Sequence, residues 1–341
     1  MQEPKTYINT DIDYERDGKQ VSYLRLPYSR NTSAWGIIPI PIAVIRNGVG
    51  PTVLLTAGNH GDEYEGQITL NNLIRTLEPA HIQGRVIILP ALNFPAAMAG
   101  RRVSPLDGLN LNRVFPGDPD GTPTRQIADY VTNVILPMID GFLDLHSGGY
   151  SMDFIHTAIL YRQNTPALMQ RAIEAARAWG FPFCLVLDDL GERRTIDALC
   201  RDRGLLKVGT ELAGGASVSV DALALAEAGV WRMLKFFGVC VSDPPELRRP
   251  HQPAPVMRVA EIAGPESYLF ATSSAIFEPN FHLGSEVSKG EIAGWFHYID
   301  EISRDPSPLR FATNGIVAGC RAPGRVAAGD LVAVVVGDMR S

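Results

Sequence analysis

From about residue 51 to 240, short apolar runs alternate with stretches of helical periodicity. PTVLLTAG (51–58), GRVIILPALN (84–93), GFLDLHSG (141–148), FCLVLDD (183–189) and LLKVGTEL (205–212) are too short for helices and read as strands. Between them, Ile68, Leu73, Ile74 and Leu77 fall on one side of a helix. TPTRQIADYVTNVILPMI (122–139) is a second helix, with Thr122 as N-cap, Pro123 as first helical residue and an apolar stripe of Ile127, Val131, Val134 and Ile135. TPALMQRAIEAARAWG (165–180) and DALALAEAGVWRMLKFFG (221–238) are two more, each closed by glycine. Apolar strands alternating with helices predict an α/β fold with a largely parallel sheet covered on both faces. Ligands in such sheets bind beyond the carboxyl ends of the strands. His60, His146 and Glu211 all stand at or just after such ends.

The texture changes at VSDPPELRRPHQPAPV (241–256), which is rich in proline and polar residues. Its residues 246–256 are expected to link a unit over 1–245, with a β-rich extension over about 1–50, to a small β-domain over 257–341. In the latter, LGSEVSKGEIAGWFHYI and GRVAAGDLVAVVVG set glycine-containing turns between strand-like segments. Lys289 sits in one of these turns, and a plain hairpin accounts for it better than a cofactor-bearing lysine.

Composition narrows the function classes. With 45% hydrophobic and 20% charged residues, the 341-residue chain can bury a sizeable core as a soluble protein. The net charge is −6 and the Arg pairs at 101–102, 193–194 and 248–249 are scattered, so nothing points to nucleic acid. No apolar run reaches the roughly 18 residues of a membrane span. The polar, acidic start lacks the pattern of a signal peptide, and the four cysteines form no CxxC pair. A cytoplasmic protein with reduced core thiols is expected, and a homo-oligomer is compatible with the sequence.

Four segments carry chemistry. In AGNHGDEYEG (57–66), His60 and Glu63 are spaced so that a tight turn, permitted by Gly58 and Gly61, can aim an imidazole and a carboxylate at one ion. In FLDLHSGG (142–149), His146 can supply a third ligand, and Asp144 shares its strand face and can orient an imidazole. Ser147 lacks the GxSxG elbow of a serine hydrolase. In GLNLNRVFPG (108–117), Asn112 and Arg113 can grip a carboxylate, and Arg102 in GRRVSP can stabilise an oxyanion near a metal. In KVGTELAGG (207–215), Glu211 ends a buried strand, a costly place for a carboxylate that is not solvated, paired or functional, and is the natural base.

The order HGDE, NLNRxFPG, DLHSGG and strand-end TEL resembles the zinc carboxypeptidase-like superfamily, and more closely its succinylglutamate desuccinylase/aspartoacylase family. The resemblance covers most of the chain. It implies a mixed, mostly parallel sheet flanked by helices with a smaller C-terminal β-domain. It further implies one zinc ion per chain on His60, Glu63 and His146, with Glu211 as general acid/base. Arg102 would polarise the scissile carbonyl, although its neighbour Arg101 leaves that choice open by one residue. Asn112 and Arg113 would bind the substrate α-carboxylate.

LRLPYSRNTSAWG (24–36), GNHGDEYEGQ (58–67) and SPLDGLNLNRVFPG (104–117) resemble a branch of this family that serves ectoine breakdown. That implies a small N-acyl amino acid as partner, namely N2-acetyl-L-2,4-diaminobutyrate, with no nucleic acid or membrane involved. No spacing separates an acetyl from a succinyl pocket, so succinylglutamate- or N-acetylaspartate-type substrates stay open. A non-catalytic binding protein on the same fold would have no use for Glu211. A diaminobutyrate ammonium would need a carboxylate nearby. Glu278 in SAIFEP is the candidate for it, ahead of Glu266.

Overall fold

The computed structural model describes residues 4–188, 192–243, 246–254 and 256–339. Two antiparallel strands, β1 (Gly18–Pro27) and β2 (Ile37–Asn47), begin the chain. Then come β3 (Thr52–Ala57), α1 (Tyr64–Thr76), β4 (Gly84–Leu89), α2 (Phe94–Ala99), α3 (Pro123–Tyr130) and β5 (Gly141–Leu145). After these follow β6 (Met152–Phe154), β7 (Thr157–Tyr161), α4 (Pro166–Trp179), β8 (Phe183–Leu187), α5 (Ile196–Asp202), β9 (Lys207–Glu211), α6 (Val220–Phe236) and β10 (Arg258–Glu261).

The main sheet runs β1-β2-β4-β3-β5-β9-β7-β8-β10 and continues through Leu331–Asp338 and Gly315–Arg321. β4, β3, β5 and β9 are parallel neighbours, with Leu55 opposite both Ile88 and Leu143. β7 runs antiparallel to β9 and parallel to β8, so the sheet is mixed. Every residue of β3, β4 and β5 is buried, as continuous apolar runs require when both faces are covered. One face packs on α1, α4 and α6 through Leu70, Leu73, Trp179 and Leu225, the other on α3 through Ile127, Val131 and Phe142.

Three local differences from the sequence reading have physical reasons. α1 buries Thr69, Leu70 and Leu73, while Ile68 and Ile74 are only half-buried, because the helix presents the neighbouring face to α6. The helix from Pro123 passes through a π-turn at Val131–Ile135 and a 3₁₀ turn at Leu136–Met138, so its stripe drifts. Thr122 occupies the N-cap without a capping bond from its own side chain; Asp107 instead accepts from the Thr124 backbone N–H at 3.0 Å. Elsewhere Thr165, Thr195 and Ser219 cap α4, α5 and α6 with their hydroxyls, each worth about 1 kcal/mol.

The polar stretch after α6 is tacked to the main sheet's helices. Arg249 Nη1 donates to Glu227 at 3.1 Å and the Ala254 N–H donates to the Gly180 carbonyl. Immediately afterwards β10 joins β8 in parallel. Beyond it the chain divides between antiparallel additions to the main sheet and a separate four-stranded antiparallel sheet of Ala275–Pro279, Ile292–His297, Ser307–Arg310 and Arg325–Val326. No described helix is long and apolar enough to cross a membrane.

Candidate metal centre and active site

The loop between β3 and α1 folds tightly because two glycines allow it. Gly58 has φ +67°, a left-handed conformation, and a Cβ on Gly61 would lie 2.0 Å from the Ala96 carbonyl of α2. Only the first is a matter of turn conformation; the second is close packing. The Gly61 N–H donates to the Arg101 carbonyl, which ties this loop to the segment bearing Arg102.

His60, Glu63 and His146 converge, each offering a ligand atom within 4.8 Å of the others. His60 Nδ1 is 2.6 Å from Glu63 Oε1, and His146 Nδ1 is 2.8 Å from Glu63 Oε2. The far side of each ring is anchored. His146 Nε2 is 3.0 Å from Asp144 Oδ2, and His60 Nε2 is 3.1 Å from Asn110 Oδ1. The same Asn110 oxygen accepts from the Asn112 backbone N–H at 2.9 Å, which fixes it as an acceptor. The partners on Nε2 hold each ring so that Nδ1 is the atom turned toward Glu63 and the one that a metal ion would take in place of a proton. Two imidazole nitrogens and a carboxylate with a cavity beside them are a donor set that fits a divalent ion such as zinc.

Electrostatics agree with that geometry. Burial alone would raise the Glu63 carboxyl, but His60 and His146 draw it well below the usual carboxylate range. Burial likewise opposes charge on His146, yet Asp144 and Glu63 lift it well above the ordinary histidine value. Asp144 is itself held by Thr56 Oγ1, which donates at 2.5 Å, and by Lys207 Nζ at 3.3 Å.

These groups open onto a cavity of about 490 Å³ that also exposes Arg102, Asn112, Arg113 and Glu211. Arg102 Nη1 stands 3.6 Å from Glu63 Oε1 and 3.5 Å from His60 Nδ1. Arg101 is not among the lining residues, so of the two arginines Arg102 faces the cavity. Asn112 Oδ1 accepts from the Ile196 backbone N–H at 2.9 Å, which leaves its amide hydrogens as donors. Arg113 is half exposed, with Glu192 at 3.9 Å. Glu211 ends β9 with one carboxylate oxygen buried and without a hydrogen-bond partner among the described residues. Burial, then the neighbouring Glu63, push its carboxyl up to about 8.

Glu278 is the exception. It lies in the four-stranded sheet, 57% exposed, with His297 Nε2 2.6 Å away, and it does not line the cavity. As the candidate partner for a substrate ammonium it stands away from the cavity: its strand belongs to the separate sheet, paired with Ile292–His297, and its side chain is exposed. Glu266 is not a lining residue either.

Residues 49–237 match the sequence model of the succinylglutamate desuccinylase/aspartoacylase catalytic domain. The chain belongs to this family. Its curated relatives include the N-alpha-acetyl-L-2,4-diaminobutyric acid deacetylase of Halomonas elongata, 39% identical over 96% of this chain and 94% of that protein. A succinylglutamate desuccinylase/aspartoacylase crystal structure from Rhodobacter sphaeroides is 41% identical, with TM-score 0.91 over 98% of this chain and all of that one. The product-bound ectoine utilization protein EutE (DoeB) of Ruegeria pomeroyi is 37% identical, with TM-score 0.91 over 98% of this chain and 99% of that one. The protein is thus an amide-hydrolysing deacylase of this family, with the family's mixed sheet and C-terminal antiparallel sheet.

Sequence reasoning missed several residues in or behind the cavity of this family member. Asn110 was hidden because nothing in NLN distinguishes the asparagine that meets His60 from the one that meets Ile196. Lys207 and Asp197 were hidden because their pairing at 2.6 Å needs α5 to pack beside β9. Arg321 and Asp330, paired at 2.9 Å, arrive at the same cavity from the C-terminal strands.

Proposed function

We propose that the protein is a zinc-dependent deacetylase that hydrolyses N2-acetyl-L-2,4-diaminobutyrate to acetate and L-2,4-diaminobutyrate. The observation that carries the chemistry is the free, buried carboxylate of Glu211 in the same cavity as His60, Glu63 and His146. The substrate reading rests on the named activity of the Halomonas elongata relative and on the ectoine-utilization protein of like fold.

His60, Glu63 and His146 hold the metal. Zinc bound there supplies Lewis acidity, which eases ionisation of a water near neutral pH and stabilises charge on the amide oxygen. Glu211 accepts the proton of the attacking water and passes it to the departing α-nitrogen as the C–N bond breaks. Its buried oxygen has no hydrogen-bond partner among the described residues and faces the same cavity as the ligands, which leaves it open to take and return a proton. Arg102 stabilises the oxyanion with its fixed charge. Arg113 and the Asn112 amide bind the α-carboxylate. We read residues 1–245 as the catalytic unit and 257–341, across the 246–256 connection, as the unit that narrows access. Arg321, Asp330 and Leu331 in the cavity wall support the part of the second unit in narrowing access. Buried thiols at Cys184, Cys200 and Cys240 are consistent with work in a reducing cytoplasm.

The test is chromatographic analysis of a panel of N-acyl amino acids incubated with purified protein. Release of acetate and 2,4-diaminobutyrate, lost on chelation and regained with about one equivalent of zinc per chain, is the expected result. Preferred turnover of N-succinylglutamate or N-acetylaspartate would overturn the substrate, and turnover of no member of the panel would overturn the enzyme reading.

A further inference from the structure

The floor of the cavity holds an unequal set of charges. Lys207 Nζ lies 2.6 Å from Asp197 Oδ1 and 3.3 Å from Asp144 Oδ2. The lysine and Asp144 side chains are 5% and 1% exposed. One ammonium thus serves two carboxylates, and the trio keeps one negative charge. A metal ion on His146 would act on Asp144 through that ring, which leaves Asp197 as the carboxylate of the trio that faces the cavity.

The surplus is not shared evenly. Asp144 spends its oxygens on Thr56, His146 and Lys207 and is closed off from the cavity. Asp197 lines the cavity, and its second oxygen has no hydrogen-bond partner among the described residues. Its position is fixed. It stands in the first turn of α5, which Thr195 caps and whose Ile196 N–H is held by Asn112 Oδ1. The charge of Asp197 also reaches the Glu211 carboxyl. A bound amino acid with its α-nitrogen at Glu211 and its carboxylate at Asn112 and Arg113 would therefore have this carboxylate beside it.

Asp330 and Glu278 carry no such surplus. Asp330 is matched by Arg321 at 2.9 Å and also accepts from the Ala327 N–H. Glu278 is outside the cavity and paired with His297.

We propose that Asp197 binds a cationic group on the side chain of the substrate's amino-acid half and so selects diamino acids over neutral ones. The proposal rests on the deacetylase reading above and adds the residue that sets its specificity. Pairing the free oxygen with a ligand ammonium neutralises the trio. A neutral side chain would cover that oxygen without giving it a donor, and so would forgo a charge-assisted pair.

The test compares N2-acetyl-2,4-diaminobutyrate with N-acetyl-2-aminobutyrate, which lacks the ammonium but keeps the acyl group and α-carboxylate. Zinc-loaded wild type should favour the first by roughly 30-fold or more in kcat/KM, the usual effect of losing one partner of a buried charge pair. Asp197→Asn should shrink that preference to within about threefold, and Asp330→Asn should not. A preference that survives in Asp197→Asn, or that disappears in Asp330→Asn instead, overturns the proposal. Calorimetry of 2,4-diaminobutyrate and 2-aminobutyrate binding to wild type needs neither turnover nor a variant that folds. Equal affinities there overturn the proposal, while tighter binding of the diamino acid supports it. Hydrolysis of both acetyl compounds without preference would sink the role of Asp197 and spare the deacylase reading; hydrolysis of neither would sink the deacylase reading and leave the calorimetry to judge Asp197.

Discussion

Two carboxylates meet at one cavity with opposite fates. Glu63, at the entry to α1, has an imidazole on each oxygen and is held ionised far below its ordinary range. Glu211, at the end of β9, has a buried oxygen with no partner among the described residues and is pushed up to about 8. The difference is mainly one of neighbours: Glu63 is buried between two imidazoles, whereas Glu211 is half-buried with no cation in hydrogen-bond contact among the described residues. When two titratable groups at one site are driven apart in this way, their roles separate. The ionised one suits a cation; the one that holds a proton near neutral pH suits proton transfer.

The sharpest way to break this comparison is to neutralise the second carboxylate alone. Glu211→Gln should retain its metal and fold while kcat falls roughly 10²- to 10⁴-fold. Elemental analysis beside steady-state kinetics reads both. Near-normal turnover would mean that another group moves the proton and that Glu211 is merely an enclosed acid. Loss of the metal would mean that the two carboxylates do not divide the work.

The second test reaches Glu63 through its neighbour. Asp144 fixes the His146 ring from behind, so Asp144→Asn weakens the hold on Nε2 without touching a ligand atom. Zinc affinity, measured by competition with a chromophoric chelator, should fall about 10- to 100-fold. Activity at saturating zinc should fall less than in Glu211→Gln. Unchanged affinity would show that the strand end alone orients the imidazole.

What could be read from the sequence follows the same division. His60, His146 and Glu211 were legible because each stands at or just after a strand end, and strand ends follow from local apolar runs; Glu63 was legible from its spacing to His60 in a glycine-bearing turn. The continuous apolar strands likewise predicted a sheet covered on both faces. The anchors behind these groups were not legible. Asn110 meets His60 across 50 residues, and Lys207 meets Asp144 and Asp197 only when β5, α5 and β9 assemble. Such contacts depend on tertiary packing that no local pattern encodes. Glu278, the carboxylate chosen for a substrate ammonium, stands outside the cavity for the same reason: cross-strand pairing, which its own segment does not announce, puts it in the separate sheet. The face of α1 was set by α6, not by its own isoleucines.

The smallest effect is the most direct reading of the comparison, and it needs no substrate. In the metal-free protein, Glu211 has a carboxyl raised from an ordinary value of 4.5 to about 8. The folded state then binds this proton more tightly than the unfolded chain does. Its contribution to stability is present in full below about pH 4.5 and is lost as pH rises through about 8. Glutamine cannot ionise, so Glu211→Gln should not share that loss. Other titrating groups, His146 among them, remain in both proteins and cancel to first order in the difference. Chelated wild type and chelated Glu211→Gln should therefore unfold at similar temperatures near pH 5, with the variant becoming the more stable by pH 8.5. Thermal unfolding across that range measures it. A difference that is constant with pH, or that runs the other way, would mean that Glu211 ionises at its ordinary value despite its enclosure, and its contrast with Glu63 would disappear.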